Sequence, residues 1–218
     1  MPIISIISQK GGAGKTTLAL HLAASAEAAG YTSLVIDCDP QATACQWATW
    51  REDAPPLVID SAARMIGKKV QQATEQGADF IVIDTPPHSA DAAAEASAIA
   101  DLILIPCRPS AFDLAAVHTT AQRVLSIRKP AFVVFTAGPP NAPKTYEAGA
   151  ELVHGFGVEA CPHILPDRAS YRHASAEGRT VMEYEPKGKA AEEIQQLYAW
   201  ACGVVDVSTR KKKRKAAA

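Results

Sequence analysis

The 218-residue chain lacks any C-x-x-C pair: Cys38, Cys45, Cys107, Cys161 and Cys202 are scattered and odd in number. That argues against a zinc knuckle and against a complete disulfide framework, and it implies reduced thiols, most of them buried. No apolar run approaches the roughly 18–20 residues needed to span a bilayer. The N-terminal MPIISII has no basic segment ahead of it, so a secretory leader is not expected and the chain reads as cytoplasmic. His21, His88, His118, His154, His163 and His173 show no metal spacing of the H-x-x-x-H kind and are read as structural or surface groups. Aromatics are 6% of residues, and Trp47, Trp50 and Trp200 are read as core or interface packing rather than base-stacking platforms.

Hydrophobic residues are 48% and charged residues 21%, which suits one soluble domain with a substantial core. The net charge of −1 conceals an asymmetry. Six cations lie in Arg210 to Lys215, leaving 16 basic against 23 acidic residues elsewhere and a body of −7. Any attraction to a polyanion must come from local patches and from that tail. The expected organisation is one domain over 1–207 and a basic, disordered tail over 208–218.

Short apolar runs at 3–7, 33–37, 80–84, 102–106 and 131–135 read as strands covered on both faces. Further short strands are expected at 56–59 and 158–164. Helical segments are expected at about 15–29, 61–76, 89–100, 112–127, 143–155 and 187–202. Gly30 is a plausible stop for the first, and Ser110 or Asp113 a start for the fourth. This alternation predicts an α/β fold, a doubly wound and mostly parallel sheet flanked by helices.

The first strand runs into SQKGGAGKTT, residues 8–17. Gly14, Lys15 and Thr16 supply the second half of a phosphate-binding G-x-x-x-x-G-K-[ST] loop, but Gln9 stands where its first glycine belongs. Gly11, Gly12 and Gly14, with Ala13 between them, let backbone amides turn inward as a nest for phosphate oxygens. The helix start adds partial positive charge. Lys15 would reach the β- and γ-phosphates and Thr16 would offer its hydroxyl to Mg²⁺. FIVIDTPP places Asp84 at the carboxyl end of an apolar strand, the position for a metal-holding acid. LVIDCDPQA puts Asp37 and Asp39 at another strand end. One would sit at the strand end near the metal and the other would enter the loop, where it could orient water.

KGGAGKTT, DCDPQ and VIDTPP together resemble the deviant Walker A class of P-loop ATPases, specifically the ParA side of the ParA/MinD family. The likeness extends through PCRPSAFDLAAV (106–117) and residues 168–197, covering roughly 2–202. The resemblance implies a slow, Mg²⁺-dependent ATPase that forms an ATP-dependent sandwich homodimer. It implies that Lys10 crosses to the partner's phosphates, that Asp39 positions the attacking water, and that Lys15, Thr16, Asp37 and Asp84 manage phosphates and metal. Thr17 would contact the α-phosphate, and Thr136 and Pro166 the remainder of the ATP. The family often has an adenine-contacting asparagine where this chain reads FTAGPPN, so Thr136 would substitute. With no sizeable N-terminal extension, an operator-binding helix-turn-helix and autorepression are not expected.

Arg168, Arg172, Arg179, Lys187 and Lys189 are the candidate contacts for nonspecific DNA, the alternative being a solvated face diluted by Glu183, Glu185, Glu192 and Glu193. The resemblance further implies nucleoid association and an activator, either a ParB-like centromere-binding protein or another partner. No membrane partner is expected, because the basic tail carries no large apolar residues. The leading expectation is plasmid or chromosome segregation. The alternatives are a positioning ATPase for a non-DNA cargo, such as a chemotaxis cluster, a microcompartment or a secretion apparatus; an Fe–S carrier ATPase, which the missing cysteine pair disfavours; and a catalytically inactive scaffold.

Overall fold

The computed structural model describes residues 1–205, so the expected tail over 208–218 lies outside the described residues. Seven strands form one sheet: β1 (Ile3–Ile6), β2 (Ser33–Asp37), β3 (Leu57–Asp60), β4 (Phe80–Asp84), β5 (Leu102–Cys107), β6 (Ala131–Phe135) and β7 (Glu159–Ala160). Their order is β3-β2-β4-β1-β5-β6-β7, and every pairing is parallel. The helices are α1 (Lys15–Ala28), α2 (Thr43–Thr49), α3 (Ile66–Glu75), α4 (Ala90–Ile99), α5 (Ala111–Ile127), α6 (Pro143–Gly155), α7 (Ala169–Ala176), α8 (Val181–Tyr184) and α9 (Lys189–Val204). The expected α/β sheet is therefore present and is wholly parallel.

Strand alternation divides the core in two. Ile4, Ile6, Phe80, Val82, Leu102 and Leu104 pack with α1 and α9 on one face. Ile103 and Ile105 pack under α5 and α6 on the other, while Ile81 and Ile83 meet α3 and α4 there. Successive residues of one strand thus serve opposite layers, which is why each strand reads as continuously apolar. α1 stops where Gly30 turns to φ 80, a conformation that costs a glycine little, and Tyr31 N–H returns to the Ala26 carbonyl at 3.0 Å.

Three elements depart from the expected string. The strand foreseen over 158–164 forms only Glu159–Ala160, because Pro162 has no N–H to extend the ladder. Pairing resumes at the Thr136–Leu165 bridge. The helix expected from residue 61 opens as a 3₁₀ turn, Ala63–Met65, before α3. Helices α2, α7 and α8 occupy stretches to which no element was assigned.

Tertiary hydrogen bonds secure these short helices. Arg51, just beyond α2, is a buried cation whose guanidinium lies 4.5 Å over the Trp47 ring. It donates to Gly178 O at 2.7 Å and to both carboxylate oxygens of Glu183, at 2.9 and 2.7 Å. Glu183 in turn closes a capping box with Thr180 at the start of α8. His21 of α1 is buried too. Its ring nitrogens meet the Thr17 carbonyl at 2.6 Å and the Val181 N–H at 3.1 Å, and burial pulls its pKa down to about 4. The ring is therefore neutral, with Nδ1 donating to Thr17 and Nε2 accepting from Val181.

Arg51→Ala is expected to strand Glu183 and the Gly178 carbonyl and to cost about 2–3 kcal/mol, less than for a fully buried pair because Glu183 keeps some solvent. A lowered denaturant midpoint at unchanged m-value checks this. Wild-type stability in the variant would show that the clamp does not hold α2 to α8.

Candidate nucleotide-binding site

Parallel pairing brings every strand's carboxyl end to one edge of the sheet. Register aligns Ile6 with Asp84 and Asp37 with Asp84, so the loop after β1 and both strand-end acids meet there. The connection from β1 leads toward β2 on one side, and that from β4 leads to β5 on the other, making this the topological switch point where open sheets bind ligands.

The loop is built from positive-φ glycines, Gly12 at 70° and Gly14 at 83°, with Gly14 directly preceding α1. Gly11 and Gly12 are exposed, whereas Ala13 and Lys15 are buried. Lys15 Nζ bonds the Lys10 carbonyl at 2.9 Å, and burial lowers the pKa of its ammonium against the opposing pull of Asp84 and Asp39. Its charge is held in place beside the nest.

Thr16 donates to Asp84 Oδ2 at 2.6 Å. Asp84 Oδ1 is buried without a hydrogen-bond partner. Burial drives the carboxyl up to about 7, with the Thr16 hydrogen bond and Lys15 opposing the rise. An orphaned buried carboxylate oxygen beside a threonine hydroxyl suits a hard cation. Two oxygen donors, supplemented by water and phosphate oxygens, match Mg²⁺ better than a cage of protein ligands would. Thr16 and Asp84 are the residues fitted to hold it.

Asp37 and Asp39 divide because β2 ends at Asp37 and Asp39 lies beyond it. Asp37 is buried, and its Oδ2 accepts from Ala44 N–H at 2.9 Å and Cys45 N–H at 3.2 Å, the first-turn amides of α2. Its Oδ1 accepts from Asp39 N–H at 3.0 Å. Burial raises its pKa, and these three donors oppose the rise. The structure thus gives Asp37 a helix-capping task beside the acid of β4. Asp39 is half-buried in the following turn, with Oδ1 on Gln41 N–H at 2.9 Å.

Thr17 and Pro166, with Gly12, Gly14 and Thr136, line a cavity of about 180 Å³ on the β6 side of the loop. Thr136 faces the loop: its hydroxyl donates to Ala13 O at 2.8 Å, leaving oxygen lone pairs for a ligand. The side chain of Lys10 makes no hydrogen bond or ion pair among the described residues. Arg108, which sequence reasoning did not single out, bonds Gly12 O at 2.6 Å. The only sequence sign of it was its place in PCRPS, directly after β5.

The candidate DNA cations are not brought together equally. Arg168 is gripped by both oxygens of Glu193, at 2.5 and 2.9 Å. Arg172 pairs with Asp167 at 2.6 Å, and Arg179 pairs with Glu177 at 3.3 Å and bonds the Glu183 carbonyl. Lys187 and Lys189 are exposed and carry no partner among the described residues.

The sequence profile of the CbiA family, the CobQ/CobB/MinD/ParA nucleotide binding domain, matches residues 4–181. The maintenance of carboxysome distribution protein A of Halothiobacillus neapolitanus is 33% identical over 207 residues, spanning 89% of this chain and 93% of the relative. Protein ParA of Rhizobium radiobacter is 28% identical over 216 residues, spanning 94% and 96%. Among solved structures, pNOB8 ParA bound to nonspecific DNA superposes with a TM-score of 0.71 at 16% identity, covering 94% of this chain and 98% of that one, which shows a shared fold.

Asp84→Asn is expected to stabilise the metal- and nucleotide-free protein by about 1–3 kcal/mol at pH 8, because the wild-type carboxylate is buried ionised there. The folded pKa is raised from 3.8 to about 7, so wild-type stability should fall relative to the variant as pH rises through that window. Parallel pH profiles for the two proteins would overturn this electrostatic account.

Proposed function

The chain belongs to the CobQ/CobB/MinD/ParA nucleotide-binding family, and from that premise we propose that it is a slow ATPase that positions a cargo by cycling on and off DNA. The observation that carries the reading is the Thr16–Asp84 pair beneath the glycine loop, with one carboxylate oxygen unpartnered. Lys15 leaves the Lys10 carbonyl for the β- and γ-phosphates, exchanging a neutral acceptor for an anionic one. Mg²⁺ held by Thr16 and Asp84 would neutralise charge developing on the transferred phosphoryl group. Asp37, through its bond to Asp39 N–H, holds the turn in which Asp39 orients the attacking water.

The Lys10 side chain has no partner among the described residues, and the loop beside it is exposed. A second copy placed face to face would bring Lys10 to the opposite triphosphate and complete the charge compensation. Exposed Phe112, at the start of α5 and close in sequence to Arg108, offers apolar area for that contact. An activator protein would then trigger hydrolysis and separate the dimer.

Two cargoes are consistent with this chemistry. The 33% identity to a carboxysome distribution protein over most of both chains favours a protein body. The likeness to plasmid-type ParA, and a shared fold with a ParA bound to nonspecific DNA, supports DNA segregation. The activator separates them: stimulation by a centromere-binding protein supports partition, and stimulation by a protein without DNA affinity supports positioning of a protein body.

Lys15→Ala is expected to weaken ATP binding about 10–100-fold, the worth of a charge-assisted hydrogen bond. Lys10→Ala should retain ATP but lose hydrolysis or stable dimers. Normal turnover and dimerisation in Lys10→Ala would refute the cross-subunit lysine.

DNA binding should require ATP. If Lys187 and Lys189 of both subunits engage phosphates, affinity should fall with salt at a log–log slope of roughly −3 to −4. Equal binding with ATP, ADP and no nucleotide would eliminate the switch while leaving the ATPase intact.

A further inference from the structure

The carbonyls of the glycine loop are held from outside by side chains, and the two that hold its centre come from strands on one side. Arg108, directly after β5, donates to Gly12 O at 2.6 Å. Thr136, directly after β6, donates to Ala13 O at 2.8 Å. Leu18 N–H takes Gly14 O at 2.9 Å as the first helical bond. A trans peptide is planar, with its C=O and N–H antiparallel. Fixing Gly12 O therefore fixes Ala13 N–H, and fixing Ala13 O fixes Gly14 N–H, each pointing away from the donor. Sheet order places β5 and β6 on one side of β1 and β4 on the other. The Ala13 and Gly14 amides are consequently turned away from the Arg108 and Thr136 side chains.

We infer that Arg108 and Thr136 are positioning residues that set the phosphate nest before ligand arrives. The inference rests on the nucleotide reading proposed above. Flexible glycines would otherwise spend binding energy on ordering themselves, since fixing one residue's backbone costs entropy. Gly12 and Gly14 need left-handed φ, and left-handed residues have few local means of holding a peptide plane. Thr136 is buried with its hydroxyl spent on the loop. Arg108 forms no ion pair among the described residues, so its bond to Gly12 is not a by-product of a surface salt bridge. The Lys15 bond to Lys10 O differs in kind, because that lysine has to leave for the phosphates. Arg108 and Thr136 can keep their bonds throughout.

The test compares wild type with Arg108→Ala, Thr136→Val and Thr136→Ser, using ATP and inorganic tripolyphosphate as probes. Arg108 is exposed, so Arg108→Ala tests the idea even if Thr136→Val folds poorly. Arg108→Ala and Thr136→Val should each weaken both probes roughly five- to twentyfold, the worth of one hydrogen bond. Thr136→Ser should restore binding, and in ATPase assays KM should take most of the change. Loss of tripolyphosphate binding separates loop positioning from an adenine contact, which tripolyphosphate cannot report. Affinities within twofold of wild type in both folded variants would overturn the inference alone. So would a fall in kcat at constant KM for Arg108→Ala, which would make that arginine a transition-state contact. A wild-type chain that binds neither probe would overturn this inference together with the nucleotide reading.

Discussion

The hydrogen bond from Thr16 to Asp84 is the constraint on which the site depends. It joins the first turn of α1 to the end of β4, residues 68 positions apart, and the parallel register makes the meeting possible. It satisfies only half of a carboxylate that the fold has otherwise removed from water. A buried acid so treated resists ionisation, as the upward pKa shift records. On the proposed reading, a cation and a phosphate anion arriving together would relieve the cost at once. The local weakness and the binding capacity are one property, and packing an apolar side chain there would gain stability at the expense of the site.

The same edge of the sheet reaches the rest of the molecule through a second set of polar contacts. Asp37 caps α2 from the end of β2, and Arg51 just past α2 clamps Glu183. Glu183 shapes the turn into α8, and His21 ties that turn back to the carbonyl of Thr17. The result is a continuous path of hydrogen-bonded elements, from the strand-end acid through α2 and α8 to the helix behind the phosphate loop.

What the sequence discloses and what it conceals divide along physical lines. The strands were legible because burial on both faces makes them apolar without interruption, as in FIVID. The loop was legible because glycine takes the left-handed φ of Gly12 and Gly14 at little cost, so the turn into the helix is written in residue identity. α2 was not, because its cap is Asp37, outside the helix and across a turn, so no local signal marks Thr43 as a beginning. α8 did carry a local sign, Thr180 three residues before Glu183, in a segment only four residues long. Arg108 was hidden for a deeper reason. Its function lies in a bond to a backbone carbonyl 96 positions away, and main-chain acceptors leave no trace in residue identity.

The disposition of the basic residues bears on how DNA binding could be switched. Arg168, Arg172 and Arg179 are compensated by carboxylates of the same chain, and Glu193 takes two of the five donors of Arg168. On the proposed reading that leaves, of the five candidates, Lys187 and Lys189 without a carboxylate partner among the described residues. Two lysines neutralise too few phosphates to hold DNA at physiological salt, since each contact contributes through release of a condensed counterion. Pairing two subunits doubles the count without altering either surface, and the affinity rises as the product of the contacts rather than their sum. On that reading a weak monomer is a requirement of the switch, because affinity that depends on pairing can be gained and lost with the dimer.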